Sequence, residues 1–379
     1  MSIGDPALVA FIRDTIRRDG PVPFAWFMEQ ALYHPAHGYY SSGRAAIGRH
    51  GDYFTNVSVG PLFGRLLLAQ FVEMLRALGS PESFIIVEQG AHDGSFARDV
   101  LSAAREHEAG FFSAIEYRIV EPFPVLIERQ RKALEEFRDH VSWRESLAQL
   151  EPFTGIHFSN ELIDAFPVHV VRREAGTDSE WMERFVCESG EGFEFVDHPI
   201  VENRLRESVN RLPISAGTAY ETEINLAAHD WIAAVSEKLI RGYVLAVDYG
   251  YVRENYYAPH RTRGTLQCRA QHAVVESPFR EIGRADITAH VDWTSVAEAA
   301  ESCGLTFAGF ADQHHFITGL LAGPLRHEFS EAVPEALRRA LQTLLHPNFL
   351  GMTFQFLALK KNVGDQALSG FRFGTSFRE

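Results

Sequence analysis

Cysteine is scarce in this chain of 379 residues: there are three, Cys187, Cys268 and Cys303, scattered and without metal-ligand spacing. So few exclude a disulfide framework and a zinc site, and no metal is expected. They suit a reducing compartment. No apolar run reaches the length that spans a bilayer as a helix, so no membrane span is expected. The N-terminal stretch has no long apolar core, and Asp5, Asp14 and Asp19 stand among its basic residues. It resembles neither a secretory signal nor an acid-poor transit peptide, and the expectation is a cytoplasmic protein. A basic stripe is missing too. The net charge is −14, which argues against a nucleic-acid partner. An acidic surface is compatible with a basic acceptor, although such surfaces mostly serve solubility. Finally, no G-x-G-x-x-G fingerprint appears, which leaves an NAD-dependent dehydrogenase weakly supported.

What is present is a chain long enough for one large domain or two ordinary ones, 46% hydrophobic and so able to bury a substantial core. Its most informative stretch is Ser83–Ala104, SFIIVEQGAHDGSFARDVLSAA. This reads as a buried strand over Phe84–Val87, a glycine-containing turn over Glu88–Gly94, and an amphipathic helix. A second buried strand, Tyr117–Val120, ends on Glu121. Strand, glycine turn, helix, then a strand ending in an acid is the plan of a Rossmann-like cofactor site. Glycines let the backbone approach a ligand, and the later carboxylate accepts from ribose hydroxyls. The turn itself is Gly90-Ala91-His92-Asp93-Gly94, led by the acid Glu88. A carboxylate there repels a pyrophosphate and suits an ammonium. That points to S-adenosyl-L-methionine (SAM), whose amino-acid end carries no phosphate, and to methyl transfer rather than hydride transfer. Glycine turns between strand and helix also occur for packing reasons alone.

Further along, Asp5-Pro6 starts a helix that stops at Gly20-Pro21. A polar stretch over 34–64 holds six glycines and lacks periodicity, a pattern shared by functional loops and ordered surface crossovers. More strands are expected near Val141–Trp143 and over Ile156–Ser159, with a helical pattern over Pro124–Phe137. The alternation implies a doubly wound sheet. Residues 170–215 read as a hairpin (Val170–Arg173, Trp181–Cys187, Gly192–Val196) with a polar link. Helix is expected over 222–240 and a strong strand over Tyr243–Val247, ending in Asp248-Tyr249-Gly250. Residues 251–285 read as a second irregular insertion. Asp286–Trp293 leads into a helix over Ser295–Cys303, and Phe354–Leu359 reads as a last strand. No internal repeat appears.

With these motifs in order, the chain resembles the MidA-like SAM-dependent methyltransferase family, which includes the mitochondrial complex I assembly-factor arginine methyltransferase. The blocks that carry the resemblance are Tyr33-His34-Pro35 with Gly38-Tyr39-Tyr40, Gly51-Asp52-Tyr53 through Phe63-Gly64, and Glu88–Gly94. Asn160-Glu161 with Asp164-Ala165-Phe166-Pro167-Val168, Asp248-Tyr249-Gly250 and Asp286–Asp292 complete them. The resemblance implies an α/β class I SAM-dependent methyltransferase fold: a Rossmann-like sheet with a helical N-terminal region and an inserted α+β lobe. The implied boundaries are 1–80 for the N-terminal region with a cofactor-covering loop, 81–170 for the first part of the sheet, and 171–220 for the inserted hairpin lobe. Residues 221–250 and 286–379 supply the rest of the sheet, and 251–285 a second insertion. The resemblance also implies SAM as donor and a protein arginine as acceptor, in the mitochondrial branch that of a respiratory complex subunit. Two positions depart from the family pattern. The turn is typically Glu-x-Gly-x-Gly-x-Gly, and here His92 takes the middle glycine. The early loop usually reads Thr-Ser-Pro-Glu, and here it is Thr55-Asn56-Val57-Ser58. These departures keep two alternatives open: an O- or N-methyltransferase of a small molecule or modified peptide, and a non-catalytic scaffold.

The expected cofactor contacts are Glu88, Gly90 and Gly94 around the methionyl end, Glu121 on the ribose hydroxyls, and Glu145-Ser146 near the adenine. Asn160 at a strand end, Asp52 and Thr55 in a lid-forming loop, and His92 complete the set. Glu161, with Asp164 in support, is expected to handle the acceptor. It would hold a guanidinium by paired hydrogen bonds or take a proton from a hydroxyl. The plain alternatives are a strand-end carboxylate for Glu88, a surface acid for Glu121, helix capping for Glu161 and Asp164, and simple space filling for His92. Tyr249 is as well suited to the core as to an acceptor pocket. His290, His314 and His315 are left outside the site.

Overall fold

The structure is a computed structural model. It describes residues 3–43, 56–81, 83–176, 179–270, 273–329 and 334–375, without the side chain at 348. The chain forms two units. The first comprises Met1–Tyr53, Ile163–Asp230 and Tyr251–Asp292, and the second comprises Phe54–Leu162, Trp231–Gly250 and Trp293–Glu379. The division at Tyr53–Phe54 falls inside the expected N-terminal region 1–80.

Among the described residues, the second unit is built on seven strands: β1 Phe84–Gln89, β2 Ile115–Val120, β3 Val141–Arg144, β4 Phe153–Asn160, β5 Leu239–Tyr251, β6 Thr306–Asp312 and β7 Phe354–Lys361. Their spatial order is β3-β2-β1-β4-β5-β7-β6. β1 pairs parallel with both β2 and β4. β2–β3 and β4–β5 are parallel as well, whereas β7 runs antiparallel to β5 and β6. The order reverses between β1 and β4. In an open α/β sheet, the crevice beyond the strand ends at such a reversal is where ligands bind.

The local causes are visible in the sequence. β1 reads FIIVEQ, apolar on both faces as a strand covered on both sides must be, and all of Phe84, Ile86 and Val87 are buried. Helix Ser95–His107 follows and buries Phe96, Ala97, Val100, Leu101 and Ala104, a stripe of helical period. Phe96 stacks on Phe158 of β4 at 4.4 Å. Helix Leu62–Ala77 adds Phe63, Leu66, Leu67 and Phe71 to the same core. Two glycines face each other across β4 and β5, in register at Gly155 and Gly242. Both have positive φ, +152° and +144°, and a Cβ on Gly155 would lie 1.9 Å from the Ile85 carbonyl oxygen.

The first unit starts with helix Pro6–Asp19, whose cap Asp5 accepts from the Ala7 and Leu8 N–H groups. Helix Phe24–Tyr33 follows. Strands His169–Arg173, Met182–Ser189, Gly192–Pro199 and Tyr220–Ile224 form an antiparallel sheet with Val22–Pro23. The core joins Leu8, Ile12, Phe24, Phe27 and Met28 to Val168, Val170, Val186 and Ile287. The buried Glu223 carboxylate anchors a later segment, accepting from the Thr265 and Leu266 N–H groups and from the Tyr256 hydroxyl.

Three expectations need correction. Residues 222–224 are strand, and the helix there is Leu226–Lys238. The acids Glu221 and Glu223 mask the strand, because only tertiary partners make a buried carboxylate tolerable. β6 was not foreseen: its pairing shifts register between Phe307 and Gly309, which breaks the alternation. No helix follows β4, where Glu161–Phe166 forms bends and turns, so neither Glu161 nor Asp164 caps one.

Candidate cofactor and acceptor site

The glycine turn leaves β1 beside the strand-order reversal. Gly90, His92 and Gly94 all take left-handed backbone, φ +82°, +46° and +80°. A side chain at this φ costs about 1 kcal/mol, and His92 adopts it nonetheless, so the turn keeps the shape that a glycine would give. The Gly94 N–H closes the turn on the Ala91 carbonyl at 2.8 Å, and the Ser95 N–H donates to Asp93 Oδ1 at 3.0 Å. A Cβ on Gly90 would lie 3.3 Å from Leu162 Cδ1, so glycine is what lets the turn run this close to the end of β4.

Glu88 is 3% exposed and accepts from the Tyr117 hydroxyl at 2.8 Å. Burial raises its pKa to about 8, against the opposing effect of that hydrogen bond. Glu121 follows β2. Its Oε1 accepts from the Phe123 N–H at 3.1 Å and its Oε2 from Gln130 Nε2 at 3.0 Å. Burial raises this carboxyl to about 7, with both hydrogen bonds pulling the other way. A carboxylate has about four acceptor sites, so two remain for a ribose diol.

Beyond β3, Glu145 is exposed and Ser146 half-buried. The Glu145 N–H donates to Gln149 Oε1, and Gln149 Nε2 returns a bond to Glu145 Oε2, each at 3.2 Å. That exchange turns Glu145 back on its own loop. At the end of β4, Asn160 Nδ2 donates to Glu161 Oε1 at 3.0 Å. The buried Asn160 Oδ1 has no hydrogen-bond partner among the described residues. Glu161 is left-handed, φ +53°, and two bonds to β5 bracket it. Its N–H donates to the Val247 carbonyl at 2.9 Å, and the Leu162 N–H donates to Asp248 Oδ2 at 3.1 Å. Asp248 is fully buried, and its Oδ1 accepts from the Tyr249 N–H. Strain of this kind in a non-glycine residue persists where surrounding structure fixes it, and it clusters at functional sites.

The structure thus brings Glu88, Gly90, His92, Gly94, Glu121, Asn160 and Glu161 to the carboxyl ends of adjacent strands. Asp164 belongs to the first unit, buried, with its carbonyl accepting from the Ala289 N–H at 2.9 Å. Asp52 and Thr55 lie outside the described residues. Tyr249 packs on Phe354 at 4.2 Å. His315 pairs with Asp312, the cap of helix Gln313–Ala322, and His290 stacks on Tyr251 at 5.2 Å. Gln130 and Asp248 went unassigned in the sequence reading. Asp248 had a signal, an acid closing the strongest strand, whereas Gln130 is one polar residue on an ordinary helix.

The residues present suit the polar groups of SAM. Gly90 is exposed at the turn, and Asn160 Oδ1 is a buried acceptor that an ammonium or another N–H would satisfy. Glu121 retains acceptor capacity for hydroxyls.

Comparison with known proteins agrees. Residues 66–311 match the model of a family described as "Putative S-adenosyl-L-methionine-dependent methyltransferase". A crystal structure of a Burkholderia thailandensis protein bound to S-adenosyl-homocysteine superposes with a TM-score of 0.84 at 30% identity. The match covers 97% of this chain and 95% of that one. Among curated proteins, a mitochondrial protein arginine methyltransferase NDUFAF7 homolog of Drosophila melanogaster is 28% identical over 94% of this chain and 85% of its own. The Homo sapiens protein arginine methyltransferase NDUFAF7, also mitochondrial, is 25% identical over 96% and 85%. Mitochondrial relatives overturn the cytoplasmic expectation drawn from the N-terminal residues.

Proposed function

Because the chain belongs to the MidA-like family of SAM-dependent methyltransferases, we propose that its methyl acceptor is a guanidinium nitrogen of an arginine in a protein. The observation that carries this reading is Glu161, held in left-handed backbone at the end of β4 by two hydrogen bonds to β5. A fixed carboxylate accepts two guanidinium N–H groups side by side. The names of the curated relatives support the same acceptor.

When bound, SAM supplies an activated methyl group on a sulfonium. The chain's own work is alignment and charge placement. Glu121 would hold the ribose hydroxyls, Gly90 would let the backbone approach the methionyl part, and Asn160 Oδ1 would accept an N–H from its ammonium. Glu161 would orient the guanidinium and draw positive charge from the attacking nitrogen, while Asn160 Nδ2 fixes its carboxylate. As the methyl group leaves the sulfur for the nitrogen, the nitrogen gives up one proton, which the Glu161 carboxylate would accept and pass to solvent.

A second reading has its own observation. Ser58 stands where the family pattern carries a carboxylate, which favours a less basic acceptor, a small molecule or modified peptide. The scaffold alternative, raised by the histidine at a glycine position, gives way: His92 keeps the left-handed turn, and the family is one of methyltransferases. The test is radiolabelled methyl transfer from SAM to arginine-containing protein fractions, followed by hydrolysis and amino-acid analysis. Methylarginine is expected. Label found only in small molecules would sink the arginine reading in favour of the second. Glu161→Gln should bind SAM within about twofold of wild type and lose transfer by roughly 100-fold or more.

A further inference from the structure

Gln130 is fully buried on helix Pro124–Ala133, and its amide makes three hydrogen bonds. Its Nε2 donates to Glu121 Oε2 and to the His92 carbonyl, each at 3.0 Å. Its Oε1 accepts from Trp143 Nε1 at 2.9 Å. Both amide hydrogens are therefore spent, one on each half of the site. The bond from Trp143 fixes which way round the amide lies, because an indole N–H only donates. With the amide fixed, neither Glu121 nor the His92 carbonyl can shift without breaking a bond in a dry environment, where a lost partner is costly. Packing adds to this: a Cβ on Gly94 would touch Gln130 Cα at 3.3 Å, so the helix sits directly against the turn.

We propose that Gln130 is the positioning residue of the cofactor site, setting the ribose carboxylate of Glu121 and the glycine turn at His92 against each other through one amide oriented by Trp143. The same bond helps the turn tolerate a histidine at a glycine position. The left-handed carbonyl of His92 is the atom that Gln130 holds, so a bond from outside the turn stabilises a conformation that the side chain disfavours. Gln130 acts through Glu121 and the turn. The inference therefore rests on reading those groups as cofactor contacts.

The test is calorimetric titration of the full chain with SAM, with thermal unfolding in parallel. Gln130→Met keeps the length and buried volume while removing all three hydrogen bonds. It should raise the Kd for SAM by about tenfold or more and still unfold cooperatively. Gln130→Glu provides a readout that general loosening would not move. Its introduced carboxyl accepts from Trp143 at any pH but donates toward Glu121 only when protonated. The groups facing it are Glu121 and His92, the latter beside Asp93, with Arg131 over the Trp143 ring. Relative to wild type at each pH, this variant should bind SAM worse at about pH 9 than at about pH 6. Gln130→Met binding within about twofold of wild type, or Gln130→Glu tracking wild type across the pH range, overturns the proposal. Glu121→Ala serves as the control. If it binds SAM as tightly as wild type, the ribose assignment itself is wrong, and the proposal falls with it for that separate reason.

Discussion

Glu88 and Glu121 are both raised by burial, but they should answer pH in different experiments. Glu88 has a folded-state pKa of about 8 against an ordinary 4.5. The folded protein therefore binds more protons than the unfolded chain between those values, and stability falls as pH rises through that window. Glu88→Gln removes the titration and still accepts from Tyr117. Its stabilisation over wild type should be small at pH 4.5 and grow to about 1–3 kcal/mol near pH 8. Denaturant titrations at the two pH values check this, and a pH-independent difference would contradict it. Glu121 should report through ligand binding instead. Its carboxyl titrates at about 7, and the ionised form is the better acceptor for a diol. SAM affinity should therefore fall as pH drops from about 8 to 6, by up to about tenfold per unit. Glu121→Ala should bind SAM weakly without that slope and remain folded.

At the scale of elements, the central strands could be read from sequence because β1, β2, β4 and β5 are apolar runs with acids or glycines at their ends. The same feature made Glu88, Glu121 and Glu161 stand out, since each interrupts or follows such a run. Gln130 and Trp143 could not be singled out, because their roles arise from hydrogen bonds that join a helix to the glycine turn, to the residue after β2 and to β3, which no periodicity in the sequence announces. β6 was hidden by its own irregularity at Gly309, and Tyr220–Ile224 by two acids that only a tertiary partner explains. The paired glycines Gly155 and Gly242 were equally silent, although the sheet depends on them. Adding a methyl group at 155 would drive it into the Ile85 carbonyl. Gly155→Ala should cost more than about 3 kcal/mol in denaturant unfolding, while Gly190→Ala, on an open hairpin turn with nothing within 4 Å, should cost far less.

At the scale of the whole molecule, each unit is assembled from three separate stretches of chain. The first unit draws Leu8, Ile12, Phe24, Phe27 and Met28 of its core from the two N-terminal helices. A chain truncated before Phe54 should therefore lose the packing of that unit and expose its apolar sheet face. Reduced solubility and loss of cooperative unfolding are expected, and a soluble, cooperatively folding product would contradict this. The same discontinuity sets a schedule during synthesis. The helices ending at Tyr33 share a core with Phe279, Ile282 and Ile287, which leave the ribosome about 250 residues later, roughly 10–50 s at ordinary elongation rates. For that interval a newly made N-terminal helix pair carries its apolar faces without their final cover. A nascent chain of this kind is a natural client for a holding chaperone until its last segment arrives.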